Sequence, residues 1–403
     1  MIVLFEDSRV RGLAPLVRWR PVWDLRCGIR TLREKASALW PGLPLTLWGR
    51  PELAAVCAAR GSPTNQPVPA GPGHVLLVNA RAILERPVPV SGPPEAGLCG
   101  EEPAWIRLPA DAAAGLSAAD LLAPDGPVSV LRRGRLPTVR ADAVLIARPW
   151  DLVYANPRQI ELDFRAGWSG FRHSDAVDPR AVLINEAAVQ VGRGARVRPL
   201  AVLDAEAGPI SIGRGAVVSP HSYIQGPAVI GDGTLVQPGS VIRGGSTIGP
   251  VCKVGGEIEG SILIGFSNKQ HDGFLGHSVL GEWCNLGAGT TNSDLKNTYG
   301  PVRVRWAGEE ADTGKLFVGL TLGDHSKTAI GTRFATGAMI GFSCNILLSG
   351  VCPQTVPDMT WLTDSGPSAM DPAKAVAIAR KMMGRRSRDL SPAEAALFEP
   401  PAG

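Results

Sequence analysis

The stretch that decides the fold runs from residue 212 to residue 254 and reads IGRGAVVSPHSYIQGPAVIGDGTLVQPGSVIRGGSTIGPVCKV. A β-branched aliphatic residue recurs in it at every sixth position. The members of this series are Ile212, Val218, Ile224, Ile230, Val236, Ile242, Ile248 and Val254. A fixed period of this kind is typical of a repeat architecture and overrides local propensity.

A second series of small residues lies two places before the aliphatic one. It comprises Ala216, Ser222, Ala228, Thr234, Ser240, Ser246 and Cys252. In a prism with three flat faces of six residues each, the aliphatic side chain points inward and the small one lies near a corner with little space. The two series predict a left-handed parallel β-helix of hexapeptide repeats, with about 18 residues per coil. Neither a β-sandwich nor a conventional α/β sheet needs such a period.

The repeat extends in both directions from this stretch. Its upstream members are Val191, Val197 and Leu203, and its downstream members are Ile262, Phe274, Leu280, Leu286, Leu322, Ile330, Phe334, Ile340 and Ile346. The register slips at residues 257–260, and an irregular excursion fills residues 293–314. Interruptions of a solenoid are usually loops on one face, and such loops often carry function.

The rest of the chain divides around the solenoid. Short apolar runs at 2–5 and 75–78 predict strands and residues 25–38 predict a helix, so residues 1–150 are expected to form an α/β domain. Residues 151–180 are a linker, 181–360 the β-helix and 361–403 a helical tail. In that tail Asp371-Pro372 begins a helix expected over 373–383, and Ser391 with Glu394 forms a capping box.

Composition narrows the class of protein. The chain has 403 residues, a net charge of +4 without basic blocks, and seven scattered cysteines. Neither nucleic-acid binding nor a membrane role is expected, and neither a disulfide framework nor a zinc site is indicated. No basic leader and no apolar run of about 20 residues is present, so we expect a cytoplasmic location.

Two segments contain residues suited to chemistry. His271, within Ser267–Gly276, can accept a proton from an attacking amine, and the backbone N–H groups of Gly287, Ala288 and Gly289 can hold an oxyanion. A structural role for His271 is the alternative, and a hydrogen-bonded turn is the alternative for His325. His271 and His277 lie one repeat apart, hence on different faces, which argues against joint binding of one metal ion.

A basic set follows the first strand and could bind a nucleoside triphosphate; a solvated helix face is the alternative. Its members, together with one acid, are Asp7, Arg9, Arg11, Arg18, Arg20 and Lys35. No P-loop or dinucleotide-binding fingerprint is present to decide between these interpretations.

Residues 265–289, GFSNKQHDGFLGHSVLGEWCNLGAG, and 292–297, NSDLKN, resemble the sugar nucleotidyltransferases related to the bifunctional N-acetylglucosamine-1-phosphate uridyltransferase/glucosamine-1-phosphate acetyltransferase. The similarity includes residues 323–327 and 343–346 and, at the start of the chain, LFEDSR (4–9), RPVWDLRCGI (20–29) and LREK (32–35). It therefore covers nearly the whole sequence, and the motifs in 265–297 are its most specific part.

The resemblance implies a set of roles in acetyl transfer. His271 would be the general base, Asn285 would position the sugar amine or its phosphate, and Ala288 would lie at acetyl-CoA with its flanking glycines. The substrate site would also contain Lys269, Phe274, Asn292 and Lys296, with the two lysines at phosphate. Phe274 stands where the better-known enzyme has a tyrosine, so that hydroxyl is missing.

For the N-terminal domain, the resemblance implies nucleotide binding by Arg9, Arg20, Lys35 and Asn79, with Mg²⁺ accompanying a nucleoside triphosphate. The sequence departs from the family there. The Gly-rich opening loop is absent, and Val78-Asn-Ala-Arg81 stands where a metal-binding aspartate is expected. Metal-assisted nucleotidyl transfer is hard to perform without that carboxylate.

The function expected is acetyl-CoA-dependent transfer to an amino-sugar phosphate, in nucleotide-sugar biosynthesis, by a homotrimer that acts on small molecules. Nucleotidyl transfer by the N-terminal domain has less support from the sequence than acetyl transfer, because the expected metal-binding aspartate is missing. The alternatives are a non-catalytic sugar-nucleotide-binding protein and a metal-dependent hydratase of the carbonic anhydrase type on the same solenoid.

Overall fold

The hydrophobic repeat lines the interior of a parallel β-solenoid in the computed structural model, which describes residues 1–167 and 177–399. All eight aliphatic side chains from Ile212 to Val254 are fully buried, and the small residues two places before them are buried as well. Equivalent residues of successive coils pair directly, as Ile212 with Ile230 and Ile230 with Ile248. The predicted left-handed parallel β-helix, of about ten turns, is confirmed.

The solenoid has three faces. Face A is one nine-stranded sheet. Its strands are Val189–Val191, Ile210–Ile212, Ala228–Ile230, Ser246–Ile248, Ile262–Gly265, Val279–Glu282, Thr321–Leu322, Met339–Ile340 and Thr355–Val356.

Face B contains two sheets that single-residue bridges through Asn285 connect. Its strands are Arg196–Val197, Val217–Val218, Leu235–Val236, Lys253–Val254, Asn268–Lys269, Lys327–Thr328, Asn345–Leu347, Thr360–Thr363 and Gly366–Ala369. Face C contains a six-stranded and a three-stranded sheet. Its strands are Val182–Ile184, Val202–Asp204, Tyr223–Gln225, Val241–Ile242, Glu257–Glu259, Phe274–Gly276, Thr291–Asn292, Arg333–Phe334 and Val351–Cys352.

The register after the interruption differs from the predicted one. The inward residues are Leu263 and Leu275 rather than their neighbours Ile262 and Phe274. The cause is two short corners: the first, Gly255-Gly256, places inward Ile258 four positions after Val254, and the second places inward Leu263 five positions after Ile258. The prediction for Ile330 is also wrong: it is 77% exposed, and the inward position is occupied by Thr328, which pairs with buried Ile346.

The excursion from the solenoid contains an antiparallel hairpin, Arg303–Trp306 with Glu309–Asp312. Val302 and Val304 of this segment, together with Val318 just after it, pack on Trp150 and Met339. Trp150 belongs to a helix, Pro149–Arg165, that fills the first part of the expected linker. The rest of that linker includes residues 168–176, which lie outside the described residues, as do residues 400–403 of the tail.

The chain divides into two units, and the first comprises residues 1–25, 30–148 and 391–394. Its mixed sheet has the strand order Leu45–Trp48, Ile2–Phe5, His74–Asn79, Glu102–Pro109, Glu95–Cys99 and Thr138–Arg140, and a small sheet pairs Ala82–Leu84 with Ala143–Leu145. The first three strands run parallel. Its α-helices are Leu32–Leu39, Ala54–Ala59, Ala110–Ala114, Ala118–Leu122 and Gly126–Gly134. The predicted α/β class is confirmed.

The helix expected over residues 25–38 is shorter than predicted. Two short strands, Arg26–Cys27 and Arg30–Thr31, occupy its first part, with Gly28 between them at φ +79°. The helix begins after Thr31 because a capping box forms there: the Thr31 hydroxyl accepts from Glu34 N, and the Glu34 carboxylate accepts from Thr31 N. This local signal decided the start, and apolar periodicity did not reveal it.

The C-terminal helices form as predicted. Helix Pro372–Gly384 is capped by Asp371, whose Oδ1 accepts from Lys374 N at 2.7 Å. The capping box of Ser391 and Glu394 precedes a short helix, Pro392–Ala396. Across residues 1–167 and 177–399, no helix has the length and apolar character needed to cross a bilayer.

Candidate functional site

His271 lies at the corner between faces B and C, between Asn268–Lys269 and Phe274–Gly276. Its side chain is exposed, and its Nε2 lies 3.2 Å from Nε2 of Gln270. The backbone carbonyls of His271 and Asp272 both accept hydrogen bonds from the Lys269 ammonium, at 2.6 and 2.9 Å. The exposed imidazole is therefore carried by a backbone segment that is held from inside.

Lys269 occupies an inward position of the solenoid. It pairs with buried Val254 of the preceding coil and is only 1% exposed. Its ammonium also donates to Gly255 O at 3.1 Å, so three carbonyls surround the charge. Burial lowers the pKa of Lys269 to about 8. The sequence placed Lys269 at a substrate phosphate, whereas in the structure this ammonium binds backbone.

Asn285 lies on face B, where a row of polar contacts crosses three segments of the chain. Its Oδ1 accepts from Nδ2 of Asn268 at 3.2 Å, and Oδ1 of Asn268 accepts from Arg386 Nη2 at 2.9 Å. Arg386 lies two residues after the end of helix Pro372–Gly384. The tail thus contacts the face that carries Asn285.

A cavity of about 460 Å³ opens between face B and this part of the tail, and we call it the basic cavity. Its residues are Lys253, Phe266, Asn268, Gln270, Trp283, Asn285, Lys327, Ile378, Lys381, Met382, Arg385 and Arg386. Five of these side chains are cationic and none carries a carboxylate. Phe266 and Trp283 form a stacked pair with ring centroids 4.5 Å apart. Asn285 lies in this cavity, and His271 adjoins it through Gln270.

The turn of Gly287, Ala288 and Gly289 follows Asn285 at the corner leading to face C. Gly287 N already donates to the Thr328 hydroxyl at 3.1 Å, and the Ala288 carbonyl accepts from Gly331 N at 2.7 Å. Gly289 has φ +71°, which favours glycine. Of the three amides predicted to hold an oxyanion, those of Ala288 and Gly289 remain the candidates.

The other predicted substrate residues lie away from the basic cavity. Phe274 is half-buried on face C. Asn292 takes an inward position there and exchanges two hydrogen bonds with the backbone of Gly276, at 3.0 and 3.1 Å. Lys296 lies in the excursion, where its ammonium donates to Pro301 O at 3.1 Å and borders a separate cavity of about 710 Å³.

The two other histidines considered have distinct surroundings. His277, at the corner between faces C and A, places Nδ1 2.8 Å from Asp294 Oδ2 and stacks on Phe317. Sequence reasoning missed this pair, because Asp294 is 17 residues away. His325 is buried among the rings of Trp283, Phe342 and Phe398. A packing role therefore accounts for His325.

All five cationic members of the basic cavity, Lys253 of face B among them, were also missed. Lys327 lies on face B, and Lys381, Arg385 and Arg386 come from the tail. The sequence signal for the tail residues was the run of basic side chains at the end of helix Pro372–Gly384. Basic side chains at the C-terminal end of a helix are usually exposed to solvent, so this run did not indicate a site. Only the path of the tail over face B places these charges together.

In the first unit, two predicted nucleotide-binding residues meet around Arg81. The Arg81 guanidinium is fully buried and donates to Asp7 Oδ1 at 2.9 Å, Asp7 Oδ2 at 2.7 Å and Glu102 Oε2 at 2.6 Å. Asn79 Nδ2 donates to Asp7 Oδ2 at 2.8 Å, and Arg9 Nη1 donates to Glu102 Oε1 at 2.8 Å. This Arg81 network lies at the carboxyl ends of strands Ile2–Phe5 and His74–Asn79.

A second buried ion pair occupies the same sheet edge. Glu6 is fully buried and accepts from Arg50 Nε at 3.0 Å and Nη2 at 3.1 Å. Arg50 also donates to the carbonyl of Arg20, whose own side chain is buried and donates to Leu16 O at 3.4 Å. Lys35 is buried in the helix Leu32–Leu39. Arg20 and Lys35 are thus interior side chains.

The Arg81 network does not fit a bound Mg²⁺. Burial alone would lower the pKa of Arg81, but the hydrogen bonds and charges of Asp7 and Glu102 outweigh it and raise that pKa above its usual value, so the group stays cationic. A divalent cation at these carboxylates would lie beside a fixed guanidinium. Within the described part of the chain, no group of three or more His, Cys, Asp or Glu side chains is arranged to hold a metal ion.

Comparisons with known proteins find similarity in two separate segments of the chain. Residues 2–169 match the family "Sugar nucleotidyl transferase", and residues 209–244 match "Bacterial transferase hexapeptide (six repeats)". The "Bifunctional protein GlmU" of Methanococcus aeolicus is 35% identical over 85 residues, which cover 21% of this chain and 20% of the relative. The same-named protein of Methanocaldococcus jannaschii is 30% identical over 106 residues, 26% of each chain.

The matched segments thus span only about a fifth to a quarter of these relatives. A solved structure of an Arabidopsis UDP-N-acetylglucosamine acyltransferase covers 54% of this chain and 80% of its own, at 14% identity and a TM-score of 0.18, too low to carry an argument. Residues 2–169 are thus similar to the sugar nucleotidyl transferase family, and residues 209–244 are similar to the bacterial transferase hexapeptide repeats.

Proposed function

We propose that the solenoid transfers an acetyl group from acetyl-CoA to the amine of an amino-sugar phosphate. The observation that carries this proposal is the position of His271: an exposed imidazole on a clamped corner, joined through Gln270 to the cavity that contains Asn285. The relatives named as bifunctional GlmU support the same assignment.

In the proposed reaction, the amine nitrogen of the sugar attacks the thioester carbonyl carbon of acetyl-CoA. His271 accepts the proton that the amine releases, the carbon–sulfur bond breaks, and the CoA thiolate leaves and is protonated. The Asn285 amide orients the acceptor sugar, and the N–H groups of Ala288 and Gly289 stabilise the oxyanion. A homotrimer in the cytosol is part of this proposal.

The test measures free thiol while the protein is mixed with acetyl-CoA and glucosamine-1-phosphate. His271→Asn is expected to lower the rate by about 10²- to 10⁴-fold, the usual contribution of a general base. His221→Asn is the matched control, because His221 is also exposed at a corner between faces B and C, three coils earlier. Equal rates for His271→Asn and the unaltered protein would refute the role of His271.

The first unit is proposed to bind a sugar nucleotide without joining its parts. The buried Arg81 network favours this second role, because it uses the carboxylates that a catalytic metal would need. Release of pyrophosphate from UTP and N-acetylglucosamine-1-phosphate in the presence of Mg²⁺ would contradict it, provided that the activity survives His271→Asn and disappears in Asp7→Asn.

A further inference from the structure

The turn after helix Pro372–Gly384 is held against the solenoid. Arg386 N donates to Met383 O at 2.8 Å, which closes the turn. Two residues further on, the guanidinium of Arg388 lies over the ring of Phe266, 5.8 Å from its centroid. The backbone and a neighbouring side chain thus fix the position from which the Arg386 guanidinium reaches face B.

Two side-chain amides connect this guanidinium to Asn285. Arg386 Nη2 donates to Asn268 Oδ1 at 2.9 Å, and Asn268 Nδ2 donates to Asn285 Oδ1 at 3.2 Å. An amide side chain can turn either its oxygen or its NH2 group toward a neighbour, but a guanidinium only donates. Arg386 therefore fixes the direction of the Asn268 amide, and Asn268 in turn fixes the direction of the Asn285 amide.

This direction decides which atom Asn285 offers to the basic cavity. Because its Oδ1 accepts from Asn268, its Nδ2 is the polar atom left to face a ligand, and among the described residues no protein group accepts a bond from it. Donation by this NH2 group to the attacking amine would engage the nitrogen lone pair that must reach the thioester carbon. The NH2 group therefore suits an oxygen atom of the acceptor and leaves the amine free for His271.

We propose that Arg386 is a positioning residue that acts through Asn268 on Asn285, so that Asn285 presents its NH2 group to an oxygen atom of the acceptor. Its effect on the rate rests on the proposed acetyl transfer, whereas the direction of the two amides does not. Helix Pro372–Gly384 then contributes to specificity, because an acceptor without an oxygen beside its amine loses the bond to Asn285.

The kinetic test uses the free-thiol assay with acetyl-CoA and glucosamine-1-phosphate. Arg386→Gln introduces an amide that can donate or accept, so the relay loses its fixed direction and kcat is expected to fall about tenfold. Arg386→Lys keeps a group that only donates and is expected to retain most of the activity. Arg385→Gln is the matched control, because it removes the same charge from the same cavity while the bond to Asn268 stays. Loss of charge alone should raise KM and leave kcat within about twofold.

A second measurement reads the direction of the amides without catalysis. In ¹H–¹⁵N spectra of the full chain labelled at asparagine, Asn268→Asp and Asn285→Asp identify the two side-chain NH2 signals. The Asn268 NH2 protons are expected to exchange with water more slowly than those of Asn285, because Asn268 donates to Asn285. Arg386→Gln should remove this difference.

The positioning role is overturned if both NH2 groups exchange equally fast in the unaltered protein, or if Arg386→Gln leaves their exchange or kcat unchanged. It is also overturned if Arg385→Gln or Arg386→Lys lowers kcat as much as Arg386→Gln does. Absence of thiol release in the unaltered protein would refute acetyl transfer instead, and the exchange of the two NH2 groups would then decide the positioning role by itself.

Discussion

Arg81→Met tests whether the first unit depends on its buried guanidinium. The substitution keeps a long side chain but removes the guanidinium donors that Arg81 offers to Asp7, Glu102 and the Ile146 carbonyl. Asp7 is itself buried, and after the substitution Asn79 and the Arg9 backbone N–H are the donors left to it. Breaking a buried ion pair from one side costs about 3–5 kcal/mol.

Arg9→Met is the matched control, because Arg9 contacts the same carboxylate, Glu102. Arg9 also donates to Glu102, at 2.8 Å, but its side chain is 57% exposed. An exposed pair contributes about 0–1 kcal/mol because water and salt screen it. Arg9→Met should therefore cost at most about 1 kcal/mol, although it removes a contact of similar length.

Hydrogen exchange read by mass spectrometry is the suitable assay, because a chain with two units need not unfold in one step. The free energy of opening should fall by about 3–5 kcal/mol for strands Ile2–Phe5 and His74–Asn79 in Arg81→Met. Strand Ala228–Ile230 of the solenoid should be unchanged. Equal losses for Arg81→Met and Arg9→Met would refute the argument from burial.

Two further outcomes are expected. Lys269→Met should lower the free energy of opening of strand Asn268–Lys269 by about 2–4 kcal/mol in hydrogen exchange, because three carbonyls lose their donor; unchanged exchange of this strand would contradict this. The pKa of Lys269 is about 8 in the folded chain and lies below its ordinary value of 10.5. Between these two pH values the unfolded chain binds more protons than the folded chain, so the free energy of unfolding should rise with pH. This rise should be smaller in Lys269→Met.

The solenoid was predictable because its signal is periodic. Each of the eight aliphatic positions reports the same environment, so a single error in one coil cannot change the fold. The prediction failed where the spacing changed: short corners after Val254 and after Ile258 move the inward positions from Ile262 and Phe274 to Leu263 and Leu275. The six-residue period of the neighbouring coils does not predict where a corner is shorter than usual.

The candidate site was predictable only in part, for a different reason. His271 and Asn285 could be found from a contiguous motif. The structure places Asn285 in the basic cavity and His271 beside it, next to Gln270. Lys269 belongs to the same motif, yet it points inward, because its register position coincides with that of Val254. A motif gives the identity of a side chain and leaves its direction to the register.

The sequence by itself determined the three-faced solenoid, the α/β class of the first unit and the capped helices of the tail. These features depend on periodicity and on contacts between residues a few positions apart. The tertiary structure alone decided which charges meet. Arg81 reaches Asp7 and Glu102, and Arg386 reaches Asn268, across 74, 21 and 118 residues. No local pattern encodes such separations; they follow from the paths of packed strands and of the tail over face B.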